Sequence, residues 1–337
     1  MLLVAGVAIV AAATPAEAHT VTGTRPTNYQ SQILAVSPEE KGLSLRLLDL
    51  GNKVQLTNTG AEDVTVGGYD GEPYLRVGPA GVFENRHSPA VFLNQTTPPA
   101  KLPSIADAKA PPDWRKTSSG HSVRWKDRRT RWEGADPPAV RAEPGARHLV
   151  ARWTIPMRAV STPVVATGSI TWVPGPSAVP WLLTALAVCA FTVSLGWLRQ
   201  WGLTLAAALA VLIAVDAMHS FASAAATGDS VAATILRVVG LGFLSTLAWI
   251  GGVWAIGRLQ RKNELGLLAG AMAAFVIGLY SLGDTTILGR SQVAYAFPAV
   301  AARAAISLSI GVGLGVVVAV VMVFKRNPGL VTTVGEA

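Results

Sequence analysis

The second half of the chain is built from long apolar runs that are separated by short polar loops. Crossing the hydrocarbon core of a bilayer takes about 20 apolar helical residues. Five runs are of about that length or longer, at 178–198, 202–225, 231–256, 264–282 and 293–324. The pattern therefore predicts an α-helical membrane domain of five transmembrane helices over 178–326, followed by a tail at 327–337.

The first half shows short runs of strand-forming residues that alternate with Gly, Asn and Pro turns. The strand-like runs lie at 44–50, 53–58, 63–66, 73–77, 149–155 and 166–173. Strands at such short spacing, with no amphipathic helix between them, are typical of antiparallel sheets packed face to face. We predict an antiparallel β-sandwich domain over 19–177, in which 94–113 forms a long loop.

The first residues have the features of an export signal. Residues 2–13 form an apolar run that is too short to span a bilayer, and Ala16-Glu17-Ala18 supplies the small residues that signal peptidase requires. The run departs from the usual pattern because no Lys or Arg precedes it. We predict a signal peptide at 1–18 and an extracytoplasmic β-domain.

The distribution of Lys and Arg among the loops supports an extracytoplasmic position of the β-domain. The net charge is +8, and the loops that would face the cytoplasm carry Arg199, Arg258, Arg261, Lys262, Lys325 and Arg326. The outer loops carry only Arg290. Because cytoplasmic loops are enriched in Lys and Arg, the chain is predicted to be a multi-pass plasma-membrane protein with a cytoplasmic C-terminus. Cys189 is the single cysteine, which excludes an intrachain disulfide and a structural site made of cysteines.

Cleavage after Ala18 would make His19 the first residue of the mature chain. A terminal histidine can chelate a metal through its free amine and its Nδ1, and nitrogen donors of this kind suit Cu(II). The Ala-x-Ala-His junction before an exported β-domain resembles CopC-like copper proteins and the B-type subunit of particulate methane monooxygenase. The β-domain joined to a helical membrane part resembles CopC–CopD fusions of actinobacteria. The resemblance implies that His19 binds copper as a cofactor or cargo.

Ionisable residues inside the apolar runs form the second group of candidates. Asp216 and His219 are three residues apart and share a face of the second helix. They could be ligands of a metal or proton site, with a third ligand from the exported domain, a partner chain or Asp284. Alternatively, Asp216 forms a structural ion pair with Arg237 or Arg303, which are predicted at similar depth in the outer half of the membrane.

A basic and aromatic stretch runs from His121 to Trp132. Arginines between tryptophans can stack on nucleic acid, but an exported domain rarely meets it, so no nucleic-acid partner is expected. We expect Trp125 and Trp132 to pack inward and the charges to face water or lipid headgroups. His121 is a candidate to join His19 at a metal. The same holds for His87 and His148, although a surface role is the simpler interpretation of each.

These features lead to two functional hypotheses. The first is a membrane-anchored extracytoplasmic protein that binds and handles copper, by capture, transfer or assembly. The alternative is a non-enzymatic assembly, sensor or interaction subunit, present in a homo-oligomer or larger membrane complex, whose intramembrane charges are structural pairs. No Ser/His/Asp or Cys/His set and no Gly-x-Ser-x-Gly motif is evident, which argues against hydrolytic chemistry and leaves a metal oxidase open.

Overall fold

A computed structural model describes residues 24–328. The chain separates into a β-sheet-rich unit of residues 27–174 and a helical unit that contains the described residues from Gly175 onward. The predicted signal peptide and His19 lie outside the described residues. The prediction of a β-rich N-terminal region followed by a helical C-terminal region is confirmed.

Ten strands form the β-rich unit within the described residues. They are β1 (Tyr29–Ser37), β2 (Leu43–Leu48), β3 (Lys53–Asn58), β4 (Val64–Gly67), β5 (Pro73–Gly78), β6 (Gly81–Asn85), β7 (Trp114–Ser118), β8 (Ser122–Lys126), β9 (His148–Ala159) and β10 (Thr162–Trp172). A seven-stranded sheet has the order β1-β10-β9-β4-β5-β6-β7, and a three-stranded sheet has the order β2-β3-β8. All of the strand pairs are antiparallel. Two short helices, α1 (Pro89–Leu93) and α2 (Pro138–Ala142), lie in the connections.

Both sheets contribute to a single hydrophobic core. Successive side chains of a strand point to opposite faces, so Val54 and Leu56 of β3 are buried while Lys53 and Gln55 point away from the core. In the seven-stranded sheet, β9 buries Trp153, Ile155 and Met157 in the same alternation. These side chains belong to one continuous cluster. The alternation that predicts the strands is therefore the pattern that builds the core.

Six helices form the described part of the helical unit. They are α3 (Val179–Leu195), α4 (Trp201–Ala225), α5 (Val231–Leu241), α6 (Phe243–Gln260), α7 (Glu264–Gly283) and α8 (Ala299–Arg326). By length and composition, α4, α7 and α8 can each cross a membrane. If the bent pair of α5 and α6 is taken together as one membrane span, it makes a fourth. Helix α3 is apolar but shorter, at 17 residues. The structure thus supports three or up to four spans where the sequence predicts five.

The predicted third and fifth spans differ from the helices that the structure contains. The third, at 231–256, is two helices bent by 83° at Gly242. A Cβ at Gly242 would lie 2.4 Å from the carbonyl oxygen of Val238, so this bend requires a residue without a side chain. The fifth predicted span corresponds to α8, which begins at Ala299 instead of 293, directly after Pro298. Proline disfavours the helical conformation of the residue before it, which sets this boundary.

Glycines allow α8 to pack closely between two neighbouring helices. A Cβ at Gly311 would lie 2.6 Å from the carbonyl oxygen of Ala185 on α3, and one at Gly313 would lie 2.9 Å from the Cα of Gly278 on α7. Small residues at such contacts let helix backbones approach in a membrane. Gly311 and Gly313 thus act in helix packing.

Candidate functional site

Helix α4 carries the two ionisable residues that the sequence singles out. Asp216 and His219 are both buried, with 7% and 8% of their surface exposed. Their spacing of three residues places them on one side of the helix, as predicted. Because buried ionisable groups need polar partners, the neighbours of each side chain decide what the site can do.

The partner of Asp216 is an indole. Nε1 of Trp249 on α6 donates a hydrogen bond of 2.8 Å to Oδ2 of Asp216. This contact joins α4 to the second half of the bent helix pair. A neutral donor stabilises the carboxylate without contributing a positive charge.

His219 faces a different carboxylate. Its Nε2 lies 3.9 Å from Oδ2 of Asp284, the residue that follows the last residue of α7. The imidazole also packs against the ring of Tyr295, with 5.3 Å between the ring centroids and 30° between the planes. Nδ1 of His219 is buried, and it makes no hydrogen bond within residues 24–328.

The segment that carries Tyr295 is tied to α4 by its backbone. The N–H of Ala296 donates a hydrogen bond of 3.0 Å to the carbonyl of Ala222, one turn beyond His219. Residues from α4, from the end of α7 and from the segment before α8 therefore meet around the His219 imidazole. The sequence places Asp284 among the candidates for such a site, and the structure brings it to His219.

The two arginines have other partners. Arg237 forms an ion pair with Asp229, eight positions earlier and just before α5. Nη2 of Arg303 donates a hydrogen bond of 2.8 Å to the backbone carbonyl of Arg290. The predicted pairing of Asp216 with Arg237 or Arg303 is therefore not the arrangement in the structure. The bend at Gly242 explains part of the difference, because α5 does not continue the line of α6.

The histidines of the β-rich unit do not converge. Nδ1 of His121 lies 3.2 Å from the carbonyl oxygen of Gly78, and Nδ1 of His87 lies 2.7 Å from that of Pro111. Nε2 of His148 lies 2.8 Å from the carbonyl oxygen of Glu143. Across residues 24–328, no group of three or more His, Cys, Asp or Glu side chains is arranged to hold a metal ion.

Two of the residues at the site are absent from the sequence-based candidates. Trp249 lies inside a predicted span, seven residues before its end, although membrane tryptophans are usually found at the interfaces. A tryptophan at that depth needs an acceptor for its N–H, and that signal could have linked it to Asp216. Tyr295 lies in the short segment before α8, where the sequence pattern offers no comparable signal.

Comparison of the chain with protein-family models, with curated proteins and with solved structures finds no match. The geometry around His219 offers one imidazole from α4 and one carboxylate from the residue just after α7, with the Asp216 carboxylate one helical turn before the imidazole on α4.

Proposed function

We propose that this chain is a membrane-anchored extracytoplasmic copper-binding protein, which captures copper at His19 and passes it to, or stores it at, the His219–Asp284 pair. The observation that carries the proposal is the position of His219. Its imidazole is buried, its Nε2 faces a carboxylate from another helix, and its Nδ1 is without a hydrogen-bond partner among the described residues. Imidazole nitrogen is a preferred ligand of copper.

The pair fits copper only in part. It provides one nitrogen and one oxygen donor, and no third protein ligand of the usual types joins them within residues 24–328. A copper ion at this place would need further ligands, from a partner chain or from residues outside the described range. We therefore assign to His219 and Asp284 the binding of the ion and derive no chemical step from it.

We infer further that residues 1–18 are a cleaved signal peptide, that the two sheets form an antiparallel sandwich and that this domain is exported. Support for the orientation comes from one end of the helical unit, where cations meet aromatic rings and backbone carbonyls. Arg326 donates a hydrogen bond to the carbonyl of Trp197, and Lys262 donates one to that of Arg199. Arg258 lies over the ring of Trp254. Cations and tryptophans together are typical of a cytoplasmic membrane interface.

Metal analysis of the purified mature chain, coupled to mass spectrometry of its N-terminus, tests the copper proposal. We expect a chain that begins at His19 and binds Cu(II) stoichiometrically. His19→Ala should remove the first site, and His219→Ala should lower the remaining copper content. His148→Ala, which changes a histidine bonded elsewhere in the β-rich unit, is the matched control. A mature chain with intact His19 that binds no Cu(II) would refute the proposal.

The second candidate is a non-enzymatic assembly, sensor or interaction subunit. The observation in its favour is the Trp249–Asp216 hydrogen bond, which gives the buried carboxylate a structural partner without any ion. In that case a stable complex should be recovered from detergent extracts, and it should survive both His19→Ala and His219→Ala. Loss of the complex in either variant would favour the copper function.

A further inference from the structure

The basic stretch of the sequence separates its aromatic and charged side chains onto two sides. Trp125 is buried in the core of the β-rich unit, whereas Arg124 and Lys126 alternate with it along β8. In the register of the three-stranded sheet, Arg46, Gln55 and Arg124 form one row, and Lys53 and Lys126 meet in the next. No Asp or Glu belongs to either row, although Nζ of Lys53 pairs with Oδ2 of Asp49 at 3.5 Å. This face of the sheet is therefore basic.

A cavity of about 360 Å³ opens where this face ends. Eight of the ten residues that line it are polar or charged, among them Lys126, Asp127, Arg128, Arg131 and Glu133, although apolar atoms make up nearly half of the lining surface. Three of these residues, Lys126, Arg128 and Arg131, are cations, and they lie within one short stretch that begins at the last residue of β8. Their charges add to those on the neighbouring face of the sheet and raise the local concentration of anions.

Of the two acids in the cavity wall, only one is available to the cations. The Asp127 carboxylate is fully buried, and it accepts hydrogen bonds from Nε and Nη2 of Arg129, at 2.9 and 2.7 Å, and from Nε1 of Trp125. The guanidinium of Arg129 thus neutralises the charge of Asp127. Glu133 lies 3.6 Å from Nε of Arg128 and 4.0 Å from Nε of Arg131, with all three side chains largely exposed. Ion pairs this long and this exposed are weak.

The wall is held in place by hydrogen bonds to its backbone and to one side of the Arg131 guanidinium. The backbone N–H of Arg128 donates to the hydroxyl of Tyr69 at 3.0 Å, and the hydroxyl of Thr130 donates to the carbonyl of Gly51 at 2.7 Å. Nη1 of Arg131 donates to Oδ1 of Asn52 at 3.0 Å. The cations are therefore carried on a backbone that is fixed by hydrogen bonds, and the side chains of Arg128 and Arg131 remain exposed.

We infer that this cavity binds a compact, multiply charged oxyanion of the phosphate class. The ligand takes the place of Glu133 beside Arg128 and Arg131, and Lys126 contributes the third positive charge. Guanidinium groups match the geometry of phosphate oxygens, and hydrogen bonds between two charged groups are stronger than neutral ones. A single carboxylate would neutralise only one of the three cations, which favours the multiply charged ligand.

Isothermal titration calorimetry of the purified full-length chain, at constant ionic strength, tests this inference with two probes. Inorganic phosphate represents a free anion, and glycerol 3-phosphate represents the headgroup end of a lipid. We expect saturable binding of at least one, and the tighter probe identifies the source. Lys126→Gln and Arg131→Gln should each weaken binding about tenfold, as expected for loss of a charge-assisted hydrogen bond.

Two further variants separate a site from general charge attraction. Glu133→Gln removes the acid that competes with the ligand, so it should tighten binding by about threefold to tenfold. Arg152→Gln removes an exposed cation of β9 that does not line the cavity, and it should leave the affinity unchanged. The inference is overturned if neither probe saturates, if Glu133→Gln weakens binding, or if Arg152→Gln weakens it as much as Arg131→Gln does.

Discussion

The indole of Trp249 and the carboxylate of Asp216 form the hydrogen bond that links α6 to α4 inside the helical unit, with 2.8 Å between Nε1 and Oδ2. One of the two alternatives drawn from the sequence gives this role to an arginine, because a buried carboxylate calls for a cation. The indole supplies a donor without a second charge, and so avoids the cost of removing a guanidinium from water. Both arginines that were considered have other partners.

Replacing Trp249 tests how much this hydrogen bond contributes to the free energy of unfolding. Trp249→Phe keeps an aromatic ring but removes the donor, which leaves a buried carboxylate oxygen without its partner. We expect the free energy of unfolding to fall by about 1–3 kcal/mol, as measured for unsatisfied buried groups. Trp254→Phe is the matched control, because that side chain is 47% exposed. Equal thermal stability of the two variants in detergent would show that the bond contributes little.

The 83° bend at Gly242 predicts that α5 lies along the membrane interface while α6 crosses the bilayer. Its large apolar side chains, including Val231, Leu236 and Leu241, are exposed on the helical unit, and its one cation, Arg237, is paired with Asp229. An apolar helix with this exposure is stabilised by lipid at the boundary between headgroups and acyl chains.

Spin labels at Val231 and Leu241 distinguish the two orientations of α5. The labels are introduced one at a time by cysteine replacement in a Cys189→Ala background, and their depth is measured from the accessibility of oxygen and of a water-soluble relaxant. In an interfacial helix the two positions have similar depth. In a spanning helix they differ by about 15 Å, given 1.5 Å per residue. Phe243 and Val253 on α6 have the same spacing and should show that larger difference.

Hydropathy locates α4 and α7 nearly to the residue, because a long apolar run has no other stable structure in a bilayer. It misses the bend at Gly242, since 231–256 is uniformly apolar and the bend depends on one missing side chain. Strand β8 is missed for a different reason. Its alternating Arg124 and Lys126 suggest a charged segment until the neighbouring strands show that Val123 and Trp125 face the core.

Only part of the site around His219 could be predicted from the sequence. The spacing of Asp216 and His219 on one helix is local, and it follows from the sequence alone. The approach of Asp284 and Tyr295 depends on where α7 ends and on how the following segment returns to α4. Those are tertiary contacts between residues far apart in the chain, and no periodicity encodes them.

Gly313 provides a test of close helix packing. Gly313→Ala places a methyl group 2.9 Å from the carbonyl oxygen of Ala274 and 2.9 Å from the Cα of Gly278. Both are backbone atoms, so α7 and α8 must separate, and we expect a loss of about 1–3 kcal/mol in the free energy of unfolding. Gly251→Ala on α6, where the added methyl would have no neighbour within 4 Å, should be neutral or slightly stabilising. Equal losses would argue against the close α7–α8 contact.

Tyr69, whose hydroxyl accepts the N–H of Arg128, gives the wall of the cavity beside β8 a pH dependence. Burial, together with the nearby negative charge of Asp127, raises the pKa of its phenol from about 10 to about 12. Its hydroxyl also bonds to Asn94 and accepts the N–H of Arg128, contacts that hold the neutral phenol in place.

Because the pKa is higher in the folded state, the stability that the neutral phenol contributes is fully present below about pH 10 and is lost between about pH 10 and 12. Ultraviolet titration of the folded chain should therefore show a phenolate transition near pH 12 that is absent in Tyr69→Phe. The variant should also be less stable at neutral pH and should lose less further stability above pH 10 than the parent chain. A Tyr69 transition near pH 10 in the folded chain would contradict the burial of this hydroxyl.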